Sequence, residues 1–381
     1  MFTRLYFHIP FCRSKCPYCA FNSRETNSEL DSYVDLLLQE LRLAAEDFLP
    51  ASPLESIYFG GGTPSLLHPE QIALLIELAG TAFDLTQSAE ITLEANPGTV
   101  TPELLAGFRA AGVNRLSIGV QSFRDDMLAT LGRIHTSAQA LIVFTGARLA
   151  GFDNIGIDLI HALPGQTLEM WRHDLEQAIL LAPEHISVYG LTIEDGTPFA
   201  ERYQVESPLL ADQDLAAAMF EMADSLLCAN GYEHYEIANY ARPGCRSQHN
   251  SGYWQRYGYL GLGAGAHSLL LDKGYGIRFF NAGDMDVYSD SIALGVLPHQ
   301  EVTTLNRADA MSEFMFLGLR MSYGVDFKSF EQQFGESPAM LYSSEFSDLA
   351  KMGLIVLDSG RARLTCRGMM LSNQVFVHFL P

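Results

Sequence analysis

Apolar and polar positions follow two spacings along the first half of the chain. Short runs rich in β-branched and aromatic residues, RLYFHIP, ESIYFGG, EITLEANP, NRLSIGVQS, NIGIDLIH and HISVYGL, predict strands. The segments between them carry helical periodicity. From Ser28 to Phe48, Tyr33, Leu37 and Leu41 recur every fourth residue, as do Leu30, Val34 and Leu38, and Ser28 and Asp31 are spaced for a capping box. His68–Ala79 has Pro69 in its first turn and Gly80 after its last, and Thr101-Pro102 opens a further helix that Gly112 follows. TSAQALIVFTGARLAG and TLEMWRHDLEQAILLAP complete the helical set. Strand then helix, repeated, predicts an α/β fold of parallel strands joined by right-handed crossovers. The strands read as nearly continuous apolar runs with both faces buried. A doubly wound sheet and a barrel-like sheet both satisfy this pattern.

After Glu194 the alternation weakens. The polar segment EDGTPFAERYQVESPLLADQ leads to one more helix, then HYEIANYARPG and the Gly-rich YGYLGLGAGAHSLL. From about Thr303 the pattern is mostly helical, and it ends in two strand-like runs, GLIVLDSGRARLT and NQVFVHFL. This predicts a small winged-helix-like module.

Length and composition narrow the class. A chain of 381 residues, 48% hydrophobic and 18% charged, forms about two to three globular domains rather than a disordered chain. There is no apolar run long enough for a transmembrane helix and no signal-peptide pattern at the start, so a cytoplasmic protein is expected. The net charge of −21 shows no basic footprint, which argues against nucleic acid as a partner and implies weak attraction to anionic membranes.

Three of the six cysteines crowd one stretch, FHIPFCRSKCPYCAFNS, as Cys12, Cys16 and Cys19. Reduced cysteines clustered in this way favour metal over disulfide. Three thiolates on one loop can each hold one iron of a four-iron cluster and leave the fourth iron open to another ligand. His8 completing a Cys3His zinc site, and three unligated thiols, are the competing readings. Cys228 and Cys366 read as ordinary buried residues.

The Cys-x3-Cys-x2-Cys spacing, with Tyr18 before the last cysteine, resembles the radical S-adenosylmethionine enzymes. The resemblance implies a [4Fe–4S] cluster on Cys12, Cys16 and Cys19. It also implies S-adenosylmethionine chelating the open iron, cleavage to a 5′-deoxyadenosyl radical, and a partial (β/α)6 barrel. Independently, sites in parallel sheets form beyond the carboxyl ends of the strands. The cysteine loop follows strand one, Gly60-Gly61-Gly62-Thr63-Pro64 strand two, Glu94 and Gln121 end strands three and four, and Asp158 lies in strand five. Alone, the glycine turn is equally a tight turn, and the acids are equally solvated groups or caps; alternatively the glycine N–H groups meet a carboxylate or amine of a ligand.

HIPFCxxxCxYC, GGGTPS, LExNP, RLSIGVQSF, LGRIH and GIDLI together resemble the branch that holds oxygen-independent coproporphyrinogen oxidase and its relatives. By motif, Tyr6, Tyr18, Gly61, Gly62, Thr63, Glu94, Gln121, Arg133 and Asp158 are the residues implied around S-adenosylmethionine. Thr192 matches poorly and is not assigned. Two departures separate this chain from the oxidase: Phe21 stands where the oxidase has a further cysteine, and Cys12 lies close to the start of the chain. With the segment His249-Asn250-x-x-Tyr253-Trp254, these features resemble the HemW-type heme chaperones, which implies heme as a third cofactor and porphyrin metabolism as the setting. The resemblance further implies His249 as a heme contact, with His267 a weaker candidate, and domains at 1–240 (radical core), 241–300 (connecting segment) and 301–381 (C-terminal domain). The partners implied are heme and heme-accepting apoproteins such as respiratory enzymes, with peripheral membrane association and a homodimer compatible with delivery. The alternative function is a radical enzyme acting on a tetrapyrrole, as a coproporphyrinogen III dehydrogenase or a heme-degrading enzyme.

Overall fold

The computed structural model describes residues 1–25, 29–203, 207–271 and 274–381. Six strands expected from the sequence form: β1 (Arg4–Ile9), β2 (Leu54–Gly61), β3 (Leu85–Ala95), β4 (Arg115–Gln121), β5 (Ile155–His161) and β6 (His185–Gly190). Each pairs in parallel with the next. The order therefore never reverses. A doubly wound sheet reverses at a switch point, so the strand order decides for the barrel type. Helices α1 (Leu30–Asp47), α2 (Pro69–Phe83), α3 (Pro102–Ala110), α4 (Ser137–Leu149) and α5 (Leu168–Leu181) make the crossovers. Thr101, Thr136 and Thr167 cap the last three through side-chain oxygens that accept from backbone N–H groups. Two boundaries differ from expectation. Gly80 does not end α2, which runs on to bury Phe83 four residues after Ala79. Helix α1 starts at Leu30, and Ser28 of the expected capping box lies outside the described residues.

The strands are not continuous apolar runs. Leu5, Phe7 and Ile9, then Leu116, Ile118 and Val120, then Ile155, Ile157 and Leu159 join one apolar cluster with Leu37, Leu75, Phe108, Ala147 and Leu175 of the helices. The alternate positions are mostly polar: Arg4, Tyr6 and His8; Glu90, Thr92 and Glu94; Arg115, Ser117 and Gln121; His185 and Ser187. Successive strand residues point to opposite faces, so the helix side is apolar and the barrel interior is polar. Burying each Leu, Ile or Phe contributes about 1.5–3 kcal/mol. The helix-facing set thus holds the register, and a one-residue slip would invert both faces.

The sheet continues on both sides. A hairpin, β7 (Glu233–Glu236) and β8 (Asn239–Ala241), follows α6 (Gln213–Ala229) and pairs antiparallel with β6. Beyond a short helix α7 (Gln248–Trp254), β9 (Tyr259–Leu262) pairs in parallel with β1, and β10 (His267–Leu270), β11 (Ile277–Asn281) and β12 (His299–Thr304) add antiparallel strands. Among the described residues the order is β12-β11-β10-β9-β1-β2-β3-β4-β5-β6-β8-β7, an open sheet rather than a closed barrel.

A second core begins with α8 (Arg307–Gly318) and includes Met315, Phe330, Phe346, Leu349 and Ile355. Helices α9 (Phe327–Phe334) and α10 (Ser343–Lys351) pack there beside a small antiparallel sheet of β13 (Val325–Asp326), β14 (Ile355–Asp358) and β15 (Arg361–Leu364). The expected terminal strand NQVFVHFL is helical instead, as Ser372–Phe376 and the turn Val377–Phe379. Its buried residues Val375 and Phe379 are four apart, the helical spacing. Cys228 and Cys366, expected to be buried, are exposed near the end of α6 and at the start of a short helix. Among the described residues no helix is long and apolar enough to cross a membrane.

Candidate functional site

A cavity of about 460 Å³ opens at the carboxyl ends of the parallel strands. Its wall includes Cys12, Cys16, Tyr18 and Cys19 from the loop after β1, Gly61, Gly62 and Thr63 after β2, Glu94 of β3, Gln121 of β4, Arg133 after β4 and Asp158 of β5. Of the cofactor-site residues singled out by sequence, Tyr6, His249 and His267 do not reach it.

The cysteine loop is held in shape locally. Phe11–Cys12 pairs with Arg24–Glu25, Glu25 accepts from the Lys15 backbone N–H (2.7 Å), and Lys15 Nζ donates to the carbonyls of Phe21 (3.2 Å) and Ser23 (2.9 Å). Two donors meet the sulfurs: Thr63 Oγ1 lies 3.5 Å from Cys12 Sγ and Arg133 Nη1 3.6 Å from Cys16 Sγ. Arg133 also donates to the Gly119 carbonyl (2.9 Å). Gly132, in the LGRIH turn, has φ +68°, and a Cβ there would fall 2.6 Å from Pro17 Cδ. The glycine is what lets that turn press on the cysteine loop and deliver Arg133.

Among the described residues no three His, Cys, Asp or Glu side chains converge on a single metal ion. The Cys3His alternative finds no free imidazole in His8: Nδ1 is 3.1 Å from Tyr6 OH and Nε2 2.9 Å from the Asn22 carbonyl. Three thiols lining one cavity suit a multi-iron cluster.

Glu94 and Asp158 give the cavity its charge. Burial raises Glu94 to about 7, the Asp158 charge adds to the rise, and hydrogen bonds from Tyr58 OH (2.7 Å) and the Gly61 N–H partly offset it. Burial also raises Asp158, against hydrogen bonds from Ser187 and Ser117. The Ser117 hydroxyl lies 3.2 and 3.1 Å from the two Asp158 oxygens. Gln121 has φ +68°, a strained backbone for a non-glycine residue of the kind that collects at functional sites. The Gly62 N–H donates to the Ile9 carbonyl (2.8 Å), so it is not free for a ligand, contrary to the expectation for the glycine turn.

Sequence reasoning missed Ser117 and Tyr189 and left Thr192 aside, yet all three line the cavity. Ser117 was findable. It shares an inward face with Gly119 and Gln121 by period-two spacing once the interior is known to be polar.

His249 is placed elsewhere. It is fully buried on α7, with Nδ1 2.8 Å from Ser56 Oγ and Nε2 2.8 Å from Tyr253 OH, and burial holds it well below the usual histidine range. Both ring nitrogens are engaged, so neither can meet heme iron as the protein stands. Glu90 caps α7 by accepting from the Gln248 and His249 N–H groups (3.0 Å each). The motif divides: His249 faces the barrel floor beside Tyr58, while Tyr253 and Trp254 line a second cavity together with Tyr6 and His8.

Comparison with known proteins agrees with this geometry. Residues 6–178 match the model of the radical SAM superfamily, and residues 305–371 match the HemN C-terminal domain. The chain is 38% identical to the heme chaperone HemW of Lactococcus lactis, over 98% of this chain and 96% of that one. It is 39% identical to HemW of Bacillus subtilis over 98% of each. The chain belongs to the HemW family of radical SAM proteins. A mouse relative in that comparison is the mitochondrial radical S-adenosyl methionine domain-containing protein 1, 34% identical over 99% of this chain and 87% of its own length. The solved structure of Escherichia coli coproporphyrinogen III oxidase, HemN, superposes with a TM-score of 0.85 at 26% identity, covering 99% of this chain and 90% of that one. HemW relatives thus match along almost the whole length, through both the barrel and the C-terminal domain.

Proposed function

We propose that this protein is a heme chaperone that carries a [4Fe–4S] cluster with S-adenosylmethionine and delivers heme to apoproteins such as respiratory enzymes. The observation that carries the reading is the convergence of three thiols, two carboxylates and a cation on one cavity, in a chain that aligns with HemW proteins over nearly its full length.

In this reading Cys12, Cys16 and Cys19 hold three irons. Thr63 and Arg133 donate to the Cys12 and Cys16 sulfurs and so fix the positions of those two ligands. The bound cluster and S-adenosylmethionine supply one-electron chemistry at the sulfonium. Glu94 and Asp158 give the cationic sulfonium and amino group negative partners, and Arg133 gives the carboxylate a positive one. Tyr6 acts from behind. It stacks on Tyr58 with ring centroids 6.1 Å apart, and Tyr58 in turn positions Glu94.

The same cofactor residues would also serve a radical enzyme acting on a tetrapyrrole, and the likeness to HemN favours that as the second reading. One experiment separates them. The cluster is rebuilt anaerobically and heme or coproporphyrinogen III is added with S-adenosylmethionine and reductant. The chaperone reading expects tight heme binding and no carbon dioxide from coproporphyrinogen III. Decarboxylation, or failure to bind heme, overturns it.

A further inference from the structure

Two features place a tetrapyrrole-sized site apart from the cluster cavity. The first is the second cavity, about 830 Å³, between the β1–β9–β10 side of the sheet and α8. That is in the upper part of the range for organic ligands, about 300–1,000 Å³. Its walls are aromatic, with Phe21, Tyr253, Trp254, Tyr259 and Phe316. Phe21 is 67% exposed, unusual for an aromatic residue with no partner to cover it. Trp254 keeps a buried indole N–H with no hydrogen-bond partner among the described residues.

The second feature is the donor set. Three histidines lie near this end of the sheet. His249 and His8 have both ring nitrogens engaged. His267, the first residue of β10, lines the cavity, is exposed, and has no hydrogen bond to either ring nitrogen among the described residues. Its ring rests at 5.1 Å from that of Phe280. Cationic charge is close by. Arg278 is the arginine on the cavity wall; it pairs with Glu313, whose other oxygen is held from behind by the buried Arg256 (2.8 Å).

An aromatic slot, one free imidazole and a guanidinium on the wall are the features that an iron tetrapyrrole with anionic side chains requires. We propose that heme binds in this second cavity with His267 as an iron ligand and Arg278 beside a propionate, an assignment that rests on the chaperone reading above. His249 then serves as a positioning residue. It fixes Tyr253 through the 2.8 Å contact, and α7 presents Tyr253 and Trp254 to the macrocycle. Phe21, Gly61 and Glu94 line both cavities, so the heme would lie against the cofactor cavity across a shared wall.

The test titrates heme into cluster-reconstituted full-length protein, wild type, His267→Ala and His267→Tyr, by absorption and resonance Raman spectroscopy. Iron content and S-adenosylmethionine binding report folding in each variant. His267 is exposed, so both variants are expected to keep the cluster. The expected result is an iron–histidine signature in wild type, its loss with at least tenfold weaker binding in His267→Ala, recovery with added imidazole, and an oxygen-ligand spectrum in His267→Tyr. An unchanged iron–histidine signature in His267→Ala overturns this assignment and leaves the chaperone reading standing. Absence of heme binding in wild type overturns both.

Discussion

At the residue scale the cofactor cavity depends on a few groups with separable jobs. Replacing Cys12, Cys16 or Cys19 singly with Ser is expected to abolish the visible iron–sulfur absorption and lower the iron content, whereas Cys228→Ser or Cys366→Ser, both exposed and distant in sequence, should leave them intact. Equal iron loss in either set would contradict the assignment. Glu94 makes a pH prediction. Its carboxyl is raised from 4.5 to about 7 in the folded protein, so it ionises as pH rises through about 7. An ionised carboxylate attracts the sulfonium, so S-adenosylmethionine should bind more tightly as pH climbs from about 6 to 8, and Glu94→Gln should flatten that slope. Stability runs the other way. A carboxyl raised on folding contributes stability that is fully present below 4.5 and is lost as pH approaches about 7. Glu94→Gln should therefore raise the ligand-free Tm more at pH 8 than at pH 5, and a Tm gain independent of pH would refute the burial account. Gly61 has φ +112°, and a Cβ there would sit 2.7 Å from the His8 ring. Gly61→Ala is expected to cost roughly 1–3 kcal/mol, seen in denaturant unfolding.

The cysteines were legible at this scale because thiols are rare and their spacing is short. His249 was not. Its type and its aromatic neighbours suggested a ligand, but its partners Ser56 and Tyr253 come from a strand nearly two hundred residues away and from one turn along its own helix. Nothing local in the sequence shows that both nitrogens are engaged.

At the element scale the alternation within strands matters more than their mean hydropathy. The six strands were legible from apolar runs, but the polar inward face was not, because Arg115, Ser117 and Asp158 look like interruptions until the sheet curves around them. The terminal run NQVFVHFL misled because Val375, Val377 and Phe379 alternate, while the buried pair Val375 and Phe379 also satisfies a helix. Strand β3 also builds α7. Glu90 is 5% exposed and accepts from two N–H groups at the helix start. Glu90→Ala would orphan both donors and remove a charge that faces the buried Arg115. A loss of about 1–3 kcal/mol in urea unfolding is expected, with weaker heme binding because Tyr253 and Trp254 move with the helix. A fully stable Glu90→Ala protein would show that α7 does not need its cap.

At the scale of the whole molecule the fold gives two cavities on one sheet. The crossover helices pack on the apolar face of the six parallel strands, and the added strands β9 to β12 extend the sheet past β1 to wall the second cavity. The C-terminal unit contributes Glu313 and Phe316 from α8 to that wall, which gives a second core a place in the site. This arrangement suits a protein that holds its cofactor in one chamber and its cargo in the next. Binding heme without consuming it is the central claim. The direct measurement mixes heme-loaded, cluster-reconstituted protein with the apo form of a heme-dependent respiratory enzyme, with and without S-adenosylmethionine and reductant, and follows the heme spectrum, recipient activity and 5′-deoxyadenosine. The account predicts intact heme passing to the recipient, which gains activity. Loss of the heme band in step with 5′-deoxyadenosine, with no gain in the recipient, would show a heme-degrading enzyme instead.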